Sequence, residues 1–134
     1  MASTARKTDM NDPFNLQRFV DAQSPIFDQV CSELRGGAKR SHWMWFVFPQ
    51  IEGLGYSHLA RKFAISSGEE AKAYLEHPVL GPRLIKCTEL VNLIEDRAIE
   101  QIFGYPDDLK FWSCMDALSK YFKGKSDPST LERL

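Results

Sequence analysis

The chain has 134 residues, 43% hydrophobic and 12% aromatic, with a formal net charge of −1 at pH 7 and a sequence pI of about 6.3. Such a length suits one domain that buries roughly two-thirds of its unfolded surface, and the ring content lets a few large side chains fill the core. Near-neutral charge disfavours nucleic acid as a partner, because a protein that follows many phosphates is normally basic.

Residues 1–11 are small and polar, lack the apolar stretch of a secretory signal, and read as a flexible leader. Residues 12–134 read as a single all-helical domain. Asp12-Pro13, Ser24-Pro25 and Asp127-Pro128 each set a capping side chain before a proline suited to a first helical turn. Pro78 and Pro106 offer helix starts of the same kind. Ile26, Phe27, Val30 and Leu34 follow helical spacing, and Gly36-Gly37 supplies a stop.

Next comes KRSHWMWFVFPQ, residues 39–50, where two cations, a hydroxyl and an imidazole run into six consecutive large apolar residues. Six is far short of the roughly twenty needed to cross a bilayer, so no membrane partner is expected. A buried strand would need a second segment rich in β-branched residues to pair with, and none is visible. Residues 42–48 therefore read as a short, centrally buried helix, capped by Ser41 and ended by Pro49. The fold class expected is all-α: a compact single-domain multi-helix bundle with a short central aromatic helix.

The stretch Gly53-Leu54-Gly55-Tyr56-Ser57 has neither the preceding strand of a dinucleotide fingerprint nor the following GK[ST] of a P-loop. It reads as a tight connection, with Ser57 capping a helix over 58–65, and it lies where it can rim the aromatic segment. Ser66 with Glu69 spells a capping box ahead of Ala71, Tyr74 and Leu75. Leu80, Leu84, Cys87, Val91 and Ile94 form the clearest amphipathic stripe. Leu109, Trp112, Met115, Leu118 and Phe122 form another, after the helix-starting acids Asp107 and Asp108.

Chemistry concentrates at the basic edge of the aromatic segment. Backbone N–H groups at a helix start, together with Lys39 and Arg40, suit a phosphate or carboxylate. In that reading Arg40 clamps the anion, Ser41 and His42 donate to it, and His42 is the candidate proton carrier, the one catalytic candidate. The bland alternative has the cations solvating a loop while His42 packs or caps. Trp43 and Trp45 would lie about 200° apart on a helix, so one of them can line a cleft while the other faces the core, or both can be packed. Each buried indole N–H wants an acceptor, for which Gln50 is a candidate.

The turn His77-Pro78 and the polar turn at Asp107, Asp108 and Lys110 would make a mixed-charge cleft if they converge on His42. Metal and nucleophile templates fail, since the three histidines show no HExxH spacing and no CxxC exists. No cofactor is implied. Cys31, Cys87 and Cys114 are odd in number and far apart, which fits reduced thiols in a cytoplasmic protein better than a disulfide framework.

The chain resembles the DUF1810 family, small proteins of unassigned activity. The likeness begins at DPFNLQRFVDAQ and is sharpest at KRSHWMWFVFPQ with the following GLG and Ser57. It continues through EAKAYLEHPVLGPRL and IFGYPDDLKFWSCM, and closes with GKSDPSTLERL. The resemblance implies an all-helical domain with the aromatic segment central, and it supplies no activity. Where relatives often carry Ser-Ser-Met-Thr-Leu-Phe, this chain has Ser113-Cys114-Met115-Asp116-Ala117-Leu118.

Two functions are expected. The first is binding of a small anionic metabolite, for example a nucleotide-like one, at Lys39, Arg40, Ser41, His42, Trp43, Trp45 and Gln50, with Ser57 and His77 at the rim. The second is a non-catalytic interaction or self-associating module, with a homo-oligomer as the partner.

Overall fold

The computed structural model describes residues 12–53 and 55–119. The expected leader, Leu54, Phe122 and the Asp127-Pro128 helix start lie outside the described residues.

The described chain forms α1 (Gln17–Gln23), a 3-10 turn (Ser24–Ile26), α2 (Phe27–Arg35), α3 (Met44–Val47), α4 (His58–Lys62), α5 (Gly68–Glu76), α6 (Leu80–Asn92), α7 (Ile99–Phe103) and α8 (Asp107–Leu118). Among the described residues there is no strand, only an isolated parallel bridge between Ile51 and Ile65. The fold is therefore all-α. The long helix α6 packs on α2 and α5, α7 packs on α8, and the short α3 touches both α1 and α8. The aromatic helix is thus central.

Local chemistry explains the ends. The Asp12 carboxylate accepts from the N–H groups of Leu16 at 2.7 Å and Gln17 at 2.8 Å, satisfying donors at the start of α1. Pro25 falls in the first turn of the 3-10 segment. After α2, Gly37 adopts a φ of 80°, a conformation that glycine enters without a Cβ penalty. His77 Nδ1 accepts from Val79 at 3.0 Å and Leu80 at 3.2 Å, capping α6 with a side chain. Pro82 falls in the first turn of α6, where a missing N–H costs nothing.

Several boundaries differ from the sequence expectation. The aromatic helix covers Met44–Val47 rather than 42–48, and Trp43, not Ser41, is its cap residue. Ser41 is drawn away by the Glu33 carboxylate described below. The α5 cap is Ser67, which accepts from Glu70 N–H at 3.1 Å, so the cap is one residue later than the expected Ser66–Glu69 box and the reciprocal bond of a box does not form. Ser66 instead gives its N–H and hydroxyl to Glu70. Ser57 caps α4 as expected, accepting from Ala60 N–H at 3.1 Å. That helix ends at Lys62 because Phe63 turns into the core and Ile65 N–H bonds Gln50 O at 2.8 Å.

The core has two aromatic clusters. In one, Trp43, Phe48, Phe103 and Phe111 meet in tilted, edge-on or stacked pairs, with Phe103 and Phe111 centroids 4.9 Å apart. In the other, Phe19 meets Phe63 and Tyr74 at 5.4 and 5.0 Å, and Phe46 meets Phe63 at 5.3 Å.

On α6 the expected stripe is the buried one through Leu80, Leu84, Cys87 and Val91. On α8 it is not. Phe111, Cys114, Met115 and Leu118 are buried, while Leu109 and Trp112 are 53% and 39% exposed. Both sets have helical spacing, and the aromatic cluster selects the face that carries Phe111.

Candidate functional site

The donors gathered at residues 40–43 already hold an anion, and it belongs to the chain. Glu33, on the buried side of α2, accepts from the N–H groups of Arg40 at 2.8 Å and Ser41 at 3.1 Å. It also accepts from Ser41 Oγ at 2.6 Å and from Trp43 Nε1 at 2.9 Å. Gln29 Nε2 completes the set at 2.9 Å and donates to Ser41 Oγ as well. Burial would raise the Glu33 carboxyl, but the bonds from Ser41, Arg40 N–H, Gln29 and Trp43 outweigh it and hold the group well below the usual carboxylate range. The anion cradle read from the sequence is therefore corrected. Ser41, Trp43 and the backbone N–H groups are committed to Glu33, and Trp43, 2% exposed, lines no surface.

Charge left for an outside partner lies one step further along. Lys39 Nζ pairs with Asp107 at 2.8 Å and Lys110 Nζ pairs with the same carboxylate at 3.1 Å. Each ammonium also sits over an indole: Lys39 over Trp43 at 5.2 Å and Lys110 over Trp45 at 4.6 Å. Burial would raise Asp107, but hydrogen bonds and attraction from the two lysines hold its carboxyl below the ordinary value. One carboxylate thus faces two ammonium groups, an excess of one positive charge. Asp108 lies about 100° round the helix and makes no ion pair among the described residues.

Two further contacts fix this arrangement. Gln50 Nε2 donates to Phe48 O at 2.8 Å and to Lys110 O at 2.7 Å, tying the aromatic segment to α8. Gln50 is therefore a positioning residue rather than the indole acceptor expected for it. A Cβ at Gly55 would stand 2.9 Å from Trp45 Cη2 and 2.8 Å from Ala60 Cβ, so the glycine loop packs its bare backbone against the indole edge. The loop does rim the aromatic segment, and at Trp45.

Of the remaining expected site residues, Arg40 and His42 are exposed. Their side chains have no hydrogen-bond or ion-pair partner among the described residues. Ser57 and His77 are engaged as helix caps, and His77 has Asp12 and Arg83 as its charged neighbours. Burial, reinforced by Arg83, lowers the His77 imidazole against the opposing pull of Asp12. The structure thus brings Lys39, Asp107, Lys110, Trp45 and Gln50 together. Sequence reasoning passed over Glu33. Its one signal is a carboxylate flanked by the buried Cys31 and Leu34, which demands partners when buried. No group of three or more His, Cys, Asp or Glu side chains among the described residues is placed to hold a metal ion.

Comparison with known proteins places this geometry in a family. The model of the family described as "Protein of unknown function (DUF1810)" matches residues 13–134. A solved structure, that of the conserved hypothetical protein Rv1873 from Mycobacterium tuberculosis, is similar with a TM-score of 0.86 and 53% identity, over 91% of this chain and 85% of that one. No curated protein matches the chain.

Proposed function

The chain belongs to the DUF1810 family, and we propose that it binds a small organic anion on the face formed by Trp45, Lys110, Lys39 and Asp107. One observation carries the reading: two lysine ammonium groups share a single carboxylate beside a half-buried indole. A carboxylate or phosphate would meet the uncompensated positive charge, and a planar group, as in a nucleotide-like metabolite, would lie against the exposed part of Trp45. Arg40 and His42, near Lys39 in the chain and without a side-chain partner among the described residues, are the groups available to close on the anion. His42 is the one candidate for moving a proton, and no activated partner stands beside it among the described residues. Ser41, Trp43, Gln50, Ser57 and His77 act through the frame they build.

A cytoplasmic setting belongs to the same proposal, supported by three buried free thiols. Among the described residues no helix is long and apolar enough to cross a membrane.

A thermal-shift screen of phosphorylated and carboxylated metabolites on the native chain, Lys110→Gln, Arg40→Ala and His42→Ala tests the reading. A compound that raises Tm of the native chain and not of Lys110→Gln supports it. Equal stabilisation of all four proteins contradicts the assigned roles.

A second reading, self-association or docking of another protein, is favoured by a different feature. Leu109 and Trp112 lie on the outward side of α8, and Tyr105, in the turn just before it, is 82% exposed. Sedimentation of the native chain and Leu109→Ser tests the self-association form of this reading, which requires a concentration-dependent mass that the substitution abolishes.

A further inference from the structure

Lined by a different set of residues, an open cleft of about 520 Å³ runs between the turn that opens α1 and the α4–α5 connection. Its volume lies in the range of small-molecule sites, and none of the residues expected from sequence to bind a ligand lines it.

The cleft has a rigid, internally satisfied floor. Arg18 offers five N–H donors, and its guanidinium makes five bonds: to the carbonyls of Lys62, Phe14, Asn15 and Ala64 at 2.6–2.9 Å and to Glu70 Oε2 at 3.0 Å. Glu70, 3% exposed, uses its other oxygen for Ser66 N–H and Oγ. The Arg18–Glu70 pair is therefore mutually neutralised and has no donor to offer a guest. It joins the two walls and keeps them apart at a fixed width.

What the walls do offer is different. Lys62 is exposed and has no carboxylate partner among the described residues. Its Nζ lies 5.4 Å from the Phe63 ring centroid. The Asn15 side chain is likewise unpartnered among the described residues, on a backbone turned to a φ of 53°. Phe14, half-buried, and Pro13 supply apolar surface. The lining charges, Arg18 and Lys62 against Glu70, leave a net +1.

We infer that this cleft is a second binding site, for small organic monoanions with an apolar or planar body. The Lys62 ammonium meets the carboxylate, the Asn15 amide donates to its second oxygen, and Phe14 with Pro13 covers the body. One unpaired ammonium matches one negative charge, so a monocarboxylate fits better than a phosphate dianion. The site is independent of Trp45 and stands whether or not an anion binds there.

Benzoate and its neutral isostere benzamide are the probes, titrated into the isotopically labelled full chain and followed by amide chemical shifts. Benzoate should shift Phe14, Asn15, Ala64 and Ser66 along one saturable curve. Benzamide should bind about three- to fivefold more weakly, and Lys62→Gln should weaken benzoate by a similar factor while leaving benzamide unchanged, the scale of one exposed charge pair. Lys110→Gln should leave the cleft titration as it is. Equal binding of the two probes, unchanged benzoate binding by Lys62→Gln, or no saturable shift at those amides overturns the inference. Shifts confined to the Trp45 indole would overturn it too, and would favour the Trp45 face instead.

Discussion

The indole N–H of Trp43 donates to Glu33 Oε1 at 2.9 Å, joining a buried ring of the aromatic segment to a carboxylate that has no ion-pair partner among the described residues. Neutral donors do the work that a lysine or arginine usually does for a buried acid. The charged lysine, Lys39, instead lies over the Trp43 ring and pairs with Asp107.

Replacing Glu33 tests that bond set. Glu33→Gln keeps the shape and turns an NH2 group toward donors that need an acceptor. It should cost about 2–3 kcal/mol at pH 7, the scale of hydrogen bonds to a buried charge. Urea denaturation followed by tryptophan emission measures it.

The acid limb of stability should carry the same signature. Glu33 lies below its ordinary value of 4.5 in the folded chain, so on acidification the unfolded chain takes up the proton first. The contribution of Glu33 is fully present above that value and is lost as pH falls through the lower folded pKa. The stability gap between native chain and Glu33→Gln should therefore shrink steadily below about pH 4.5. A gap that stays constant down to pH 3 would contradict the assignment.

Gly55 tests the contact between the glycine loop and Trp45. Gly55→Ala adds a methyl at 2.8–2.9 Å from Ala60 and Trp45, so the indole or the loop must move. Overpacking of this kind costs roughly 1–3 kcal/mol, and the emission of Trp45 should change. Unaltered stability and emission would show that the loop does not rest on the ring.

The two stripes of α8 give a further contrast. Phe111→Ala removes a fully buried ring from the aromatic cluster and should cost about 3–5 kcal/mol. Leu109→Ser, on the outward side, should change stability by no more than about 0.5 kcal/mol. Comparable losses for the two would reverse the orientation of the helix.

Much of the fold is legible because its signals are local. Proline, glycine and capping side chains mark most ends, and the α6 stripe is buried as its spacing predicts. Where two answers satisfied the same local rule, the sequence offered no choice. Leu109 and Trp112, three apart, satisfy helical spacing as well as Phe111 and Met115, four apart, and only contact with Phe48 and Phe103 decides for Phe111. The cluster at the site is non-local. Glu33 meets Trp43 ten residues on, Lys39 meets Asp107 across the bundle, and Gln50 reaches Lys110. The sequence therefore shows a basic edge beside indoles, but not which donors are committed internally. Arg18 is the extreme case, since its five partners come from three separate stretches of chain.

Charged quenchers acting on Trp45 test the central claim most directly. In Trp112→Phe the sealed Trp43 is beyond reach, so quenching reports Trp45. Iodide should quench it more strongly than caesium at low salt, the preference should fade as salt screens the site, and Lys110→Gln should remove it. Caesium quenching as strong as iodide, unaffected by Lys110→Gln, would mean that no excess positive charge faces the indole, and anion binding at this face would fall with it.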